Sequence, residues 1–198
     1  PKANEKILRD SRATALFVSS DLYPIIEPAL VGNEFIRLVV VVGGNLDNGI
    51  MGFDEFMRGH APTETFDASS DDIAFWLYSS GSTGNPKGVI HAHKDMVITS
   101  QRYAVETLNM TNKDINFSAA KLFFAYGLGN AMTFPLWVGG EAILFSAPPT
   151  PGDMHEIVEK YKPTIYYGVP TLYAAQLKLL ENTEVDLSSI RLCISAGE

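Results

Sequence analysis

The residues best suited to chemistry lie in one run, YSSGSTGNPKGV, at positions 78–89. Ser79, Ser80, Ser82 and Thr83 set four hydroxyls beside a series of backbone N–H groups, a composition suited to an anion-binding nest. Gly81, Gly84 and Gly88 permit positive φ and a close approach of the backbone to a ligand. Lys87 adds a positive charge for a phosphate oxygen. An apolar strand pattern precedes the run and a helical pattern follows it, which predicts the strand–loop–helix setting of known phosphate loops. The spacing is not that of a Walker A loop, because Pro86 stands where the second glycine counted from Gly81 would be. Gly127-Leu128-Gly129 lacks the third glycine of a dinucleotide fingerprint. By composition alone the run also fits a flexible Ser/Gly loop.

A second candidate is KLFFAYGLGN at positions 121–130. Phe123, Phe124 and Tyr126 beside Gly127 and Gly129 combine flat aromatic walls with small residues, which suits a planar apolar ligand. Plain core packing fits the same residues. Other reactive side chains are isolated. His60 and His155 have no evident partner, and no His, Cys and Asp group has metal-site spacing. Cys193 sits in an apolar strand pattern and reads as a buried, inert thiol. No GxSxG elbow is present.

The elements that must carry these residues alternate in type. Strand-like runs fall at 14–19, 37–42, 73–79, 141–146, 164–168 and 190–195. The run RLVVVV at 37–42 is apolar without alternation, as in a strand covered on both faces. One helical face is expected from Met96, Val97, Ser100, Tyr103, Ala104, Thr107 and Leu108. A second comes from Met154, Ile157, Val158 and Tyr161, with Asp153 as N-cap, and a third from Tyr173, Leu177 and Leu180 after Pro170. The stretch 43–70 is irregular, with a short helix expected over 52–58. Strands alternating with helices imply an α/β fold with a mostly parallel β-sheet flanked by helices.

Composition narrows the function classes. With 46% hydrophobic residues and 19% charged ones over 198 positions, the chain is that of a globular protein rather than a disordered one. Fifteen Lys and Arg against 23 Asp and Glu give a net charge of −8, which argues against a nucleic-acid partner. No apolar stretch is long enough for a membrane span, and the polar start PKANEKILRD is no signal peptide. A lone cysteine fits a reducing, cytoplasmic setting. The chain begins and ends inside what read as structural elements.

The run at 78–89 resembles the signature loop of the adenylate-forming superfamily, the acyl- and aryl-CoA synthetases, peptide-synthetase adenylation domains and luciferases. That loop reads [YF]-[ST]-S-G-[ST]-T-G-x-P-K-G, and all eleven positions from Tyr78 to Gly88 match. The resemblance implies that Ser79, Ser80, Gly81, Ser82, Thr83, Gly84 and Lys87 contact the ATP phosphates. KLFFAYGLGN resembles the benzoate-CoA ligase branch, with Phe124 where many relatives carry His, and implies an aryl pocket of Phe124, Ala125, Tyr126 and Gly127. Val169, Pro170 and Tyr173 resemble the V-P-x-x-Y turn of the family. Ser195-Ala196-Gly197-Glu198 resembles the turn at the adenine and substrate edge, although an ordinary strand-end turn also fits Gly197. His91 and His93 are read as structural.

The implied activity is a ligase of benzoate or a related aryl acid, using ATP, Mg2+ and coenzyme A. Acid and ATP give an acyl-adenylate and pyrophosphate, and the CoA thiolate then displaces AMP. No catalytic or metal-holding residue is expected within these 198 residues. They correspond to an internal part of the AMP-binding N-terminal domain, with the C-terminal domain absent, so the isolated chain is expected to be inactive. Three other readings stay open: a nucleotide-binding module without ligase activity, a non-catalytic α/β interaction domain whose Gly/Ser loop is only a linker, and another acyl- or aryl-CoA synthetase. The preferred aryl acid and the oligomeric state are not legible.

Overall fold

Helix α1 (Lys2–Ser11) leads into β1 (Ala15–Ser19), and α2 (Tyr23–Ile26), with proline in its first turn, leads towards β2 (Leu38–Val42). A computed structural model describes residues 2–44, 50–80 and 86–196. The chain divides into two compact units, one of Pro1–Ser69 with Ala74–His91 and one of Ser70–Ile73 with Ala92–Glu198.

In the first unit β1 and β2 run parallel from Ala15↔Leu38 to Ser19↔Val42, and β3 (Met51–Gly52) joins the far side of β2 through Val40↔Met51. The valine run behaves as its lack of alternation predicts, since Val40 and Val41 are both buried on opposite faces. Val18, Tyr23 and Val41 form the core there, closed by Leu16, Ile26, Leu30, Val39 and Ile50. The short helix expected over 52–58 is α3 (Phe53–Phe56). β4 (Ile73–Ser80) and β5 (Pro86–Ala92) make a separate two-stranded sheet.

The second unit is built on a parallel sheet in the order β7–β6–β8–β9, from β6 (Ile115–Ser118), β7 (Glu141–Ile143), β8 (Ile165–Gly168) and β9 (Leu192–Ser195). Successive residues of β8 point to opposite faces. Tyr166 packs with Phe117, Met154, Ile157, Val158 and Leu172, whereas Ile165 and Tyr167 pack with Ala104, Leu108, Met110 and Phe134. Both faces are covered, so both phenols need internal partners. Tyr166 donates to Gln176 Oε1 at 2.9 Å, and Tyr167 donates to Asn116 Oδ1 at 3.3 Å.

Helices α7 (Pro151–Tyr161) and α8 (Pro170–Leu180) each start on proline, which suits a first turn whose N–H groups have no helical acceptor. The cap of α7 is Thr150, not Asp153. Asp153 lies three residues inside, where its N–H donates to Thr150 Oγ1 at 3.2 Å and its carboxylate complements the helix dipole. On α8 the buried residues are Leu172 and Gln176, while Leu177 is 66% exposed. The expected stripe is therefore displaced, because Gln176 is drawn inward by the Tyr166 hydroxyl.

The opposite face carries α4 (His93–Thr99), which passes into a π-helical turn at Ser100–Val105, and α5 (Ala125–Leu128) and α6 (Phe134–Val138), joined by a second such turn at Gly129–Thr133. A π turn adds one residue and rotates the face that follows. Ser100, Ala104 and Leu108 are buried as expected, but Val97 and Tyr103 are exposed. The α/β class and the parallel sheet flanked by helices are as expected. Among the described residues no helix is long and apolar enough to cross a membrane.

Candidate functional site

The run 78–89 leaves β4 and enters β5, so a strand and not a helix follows the loop. Gly81, Ser82, Thr83 and Gly84 lie outside the described residues, as does the side chain of Ser80. Ser79 and Lys87, on the two strands that bracket the loop, are exposed. Gly88 gives two rings room to pack closely. A Cβ there would come 2.9 Å from Trp76 and 3.1 Å from Tyr78, so the rings as they lie across the strand would have to shift for any larger residue. Tyr78 in turn donates to Asp10 Oδ2 on α1 at 2.6 Å. Burial and that carboxylate push the phenol up to about 12. His91 stacks on Phe75 with centroids 5.0 Å apart, and the His93 N–H donates to Asp72 O at 3.1 Å, so both serve packing and turns.

After β6 the chain turns sharply. Gly127 is buried, and a Cβ on it would lie 2.1 Å from Lys121 O and 2.6 Å from Ala120 O. That fold-back directs Phe124, Ala125 and Tyr126 into the wall of a cavity of about 720 Å3, completed by Val169, Leu172 and Ala175 from the start of α8. Three of the four expected pocket residues therefore meet at one cavity. The fourth, Gly127, does not line it but makes the turn possible. Phe124 is 56% exposed and touches Phe123, with centroids 4.5 Å apart.

The cavity surface is chiefly carbon, and Lys121 is among the residues that line it. Lys121 Nζ donates to Phe145 O and, at 2.6 Å, to Ala147 O, and it lies 4.7 Å from the Phe145 ring centroid. Desolvation lowers its basicity below that of an ordinary lysine. Lys121, Pro149 and Pro151 also line this wall, beyond the residues expected from sequence. Their signal was slight: a lysine immediately before an aromatic run, and a Pro-Pro-Thr-Pro segment ahead of a helix.

The C-terminal ends of β8 and β9 meet at the same place. Tyr126 Oη lies 3.1 Å from both Gly168 O and Ile194 O. Tyr173 Oη lies 3.0 Å from Tyr166 O and 3.0 Å from the same Ile194 O. Ser195 ends β9 and Ala196 follows it, whereas Gly197 and Glu198 lie outside the described residues. Cys193 is exposed rather than buried. β9 is an edge strand whose residues alternate, so Leu192 and Ile194 pack inward while Cys193 and Ser195 face the other side.

His155 stands apart. It is buried, with no partner for Nδ1 among the described residues, and desolvation lowers its basicity. His60 lies beside the Phe56 ring, at 5.9 Å between centroids. Among the described residues no group of three or more His, Cys, Asp or Glu could hold a metal ion.

The AMP-binding enzyme family matches residues 1–198. The chain is 42% identical over 194 residues to a benzoate–CoA ligase of Thauera aromatica, covering 98% of this chain and 36% of that protein. It is 40% identical to a 4-hydroxybenzoate–CoA/benzoate–CoA ligase of Rhodopseudomonas palustris, covering 97% of this chain and 36% of that protein. A solved anthranilate CoA ligase in complex with anthranoyl-AMP superposes with a TM-score of 0.93 at 38% identity, over all of this chain and 39% of its own. The chain thus spans little more than a third of the relatives it matches.

Proposed function

The chain belongs to the AMP-binding enzyme family, and we propose that it is an internal part of the AMP-binding N-terminal domain of an aryl acid–CoA ligase. The substrate class is benzoate or a close relative, activated by ATP and transferred to coenzyme A in the cytoplasm. The observation that carries this reading is the largely apolar cavity whose wall holds Phe124, Ala125 and Tyr126. Its character suits an aromatic ring, and likeness to two benzoate-activating ligases at 40–42% identity points the same way.

In the first half-reaction a carboxylate oxygen bonds to the α-phosphorus of ATP while the bond to pyrophosphate breaks. In the second, the CoA thiolate attacks the acyl carbon and AMP departs. Ser79, Ser80, Gly81, Ser82, Thr83, Gly84 and Lys87 hold the phosphates through N–H groups, hydroxyls and one ammonium, offsetting the negative charge that gathers on pyrophosphate. The aromatic wall excludes water and aligns the acid, which lowers the entropic part of the barrier. Ser195, Ala196, Gly197 and Glu198 form the adenine and substrate edge. Among the described residues no group of three or more His, Cys, Asp or Glu could hold a metal ion, and Mg2+ bound with ATP would offset further charge on the phosphates.

The test is exchange of labelled pyrophosphate into ATP by the enzyme that contains residues 1–198. Benzoate is expected to stimulate exchange strongly and hexanoate weakly. ATP binding with no response to any carboxylate would make the protein a nucleotide-binding module instead.

A further inference from the structure

We infer that Tyr173 is a positioning residue that fixes the substrate edge at Ser195–Ala196 through a carbonyl it shares with Tyr126. This rests on the aryl-acid reading above. Tyr173 does not line the cavity. Its ring lies so close to β8 that a Cβ on Gly168 would come 2.6 Å from a ring carbon. Crossing there, the side chain reaches from α8 past β8 to β9, where its hydroxyl is 3.0 Å from Ile194 O.

Ile194 O is the meeting point of two phenols, with Tyr126 Oη at 3.1 Å and Tyr173 Oη at 3.0 Å. Each phenol has a single proton and a second carbonyl within reach, Gly168 O for Tyr126 and Tyr166 O for Tyr173. Both hydroxyls therefore divide their donation between β8 and β9. Their joint effect is to hold the ends of the two strands at a fixed separation. The backbone does this poorly just beyond Ile194, where the Ala196 N–H reaches Gly168 O at only 3.5 Å. Tyr126 is at once a cavity wall and one of the two tethers, so acid and nucleotide edge are set by the same carbonyl. Tyr173 is the tether that does not line the cavity.

The experiment uses the full-length enzyme and Tyr173→Phe, which keeps the ring and removes the hydroxyl. Loss of one such bond is expected to raise KM for ATP and for benzoate together by about 2- to 10-fold, with kcat changed less. Removing both hydroxyls, in Tyr126→Phe/Tyr173→Phe, is expected to raise the ATP KM by more than the product of the single effects, because Ile194 O then loses both phenol donors at once. Unchanged KM values in Tyr173→Phe, or a fall in kcat alone that tracks a lower melting temperature, would overturn the inference. If Tyr173→Phe does not fold, Tyr126→Phe probes the same carbonyl, and a rise in benzoate KM with no change for ATP would count against it. An enzyme without benzoate-stimulated exchange would refute the aryl-acid reading. In that case the ATP dissociation constant of Tyr173→Phe against wild type, by calorimetry, still decides the role of Tyr173.

Discussion

The guanidinium of Arg191 closes a two-point pair with the carboxylate of Asp114, Nε to Oδ1 at 2.8 Å and Nη2 to Oδ2 at 2.9 Å. Thr164 Oγ1 adds a bond to Oδ1 at 2.7 Å, and the Thr111 N–H one to Oδ2 at 2.8 Å. Asp114 immediately precedes β6, Thr164 precedes β8 and Arg191 precedes β9, so one carboxylate pins the starts of three neighbouring parallel strands. The cavity and the two phenols lie at the other ends of those strands.

That carboxylate gives stability an acid limb. Burial alone would raise the Asp114 carboxyl, but the bonds from Arg191, Thr111 and Thr164 outweigh it and hold it at about 2, against 3.8 for a free group. A depressed folded value stabilises above the unfolded one. The contribution, roughly 2 kcal/mol, is present above about pH 4 and is lost as the pH falls towards 2. Asp114→Asn is expected to cost about 2–3 kcal/mol at pH 7 and to flatten this limb. Urea titrations between pH 7 and pH 2 measure both, and equal acid slopes for variant and wild type would refute the assignment.

Two truncations compare the faces of α7 and α8. Met154 is completely buried beneath the sheet, so Met154→Ala is expected to cost about 2–5 kcal/mol through lost burial and a residual cavity. Leu177→Ala removes a side chain that is 66% exposed and is expected to change stability by less than about 0.5 kcal/mol. Denaturant midpoints at neutral pH distinguish them. A Leu177→Ala loss as large as that of Met154→Ala would restore the apolar stripe that spacing alone suggests.

Why spacing misled on α8 is also why parts of the fold were legible and others were not. RLVVVV and TIYYG are so dense in β-branched and aromatic residues that they announce covered strands, and Pro170 marks a helix start wherever the strand before it ends. β6 reads INFS, four residues with a polar one at the centre. It becomes a strand because Asn116 finds Glu141 O at 3.1 Å and the Tyr167 hydroxyl, partners invisible in the sequence. β5 was hidden because the loop motif ran into it and its proline and glycine look like turn residues. The pocket was legible as aromatics beside glycine. The role of Gly127 was not, since a contact with its own backbone six and seven residues earlier has no compositional trace. The two π turns likewise leave no periodic signal.

Two of the tight glycines, Gly88 and Gly127, test the loop and the cavity separately. In Gly88→Ala the added methyl meets the side chains of Trp76 and Tyr78, which can shift, so the fold is expected to survive with the roots of the phosphate loop displaced. ATP KM should rise severalfold while benzoate KM changes little. In Gly127→Ala the methyl meets backbone at 2.1 Å and 2.6 Å, which cannot yield without moving the whole turn. A stability loss above about 3 kcal/mol is expected there. Steady-state kinetics for the first and thermal melts for the second are the measurements, and a neutral Gly127→Ala would mean that the fold-back is wrong.

Ala125 tests the cavity wall most directly. It is the first residue of α5, it is exposed, and it lines the cavity between Phe124 and Tyr126. A phenylalanine there fits the helix start but occupies the volume assigned to the ring of the acid. Forcing a ligand into a filled site costs about 1–3 kcal/mol, which is about 5- to 150-fold in kcat/KM for benzoate. Because the loop proposed to hold ATP lies elsewhere in the sequence, the ATP KM should change less than twofold, and the melting temperature should hold. An acid without a ring, such as acetate, needs less of the space and should lose less than benzoate does. Benzoate kinetics unchanged in Ala125→Phe would remove Ala125 from the acid site and leave the cavity to some other part of the reaction.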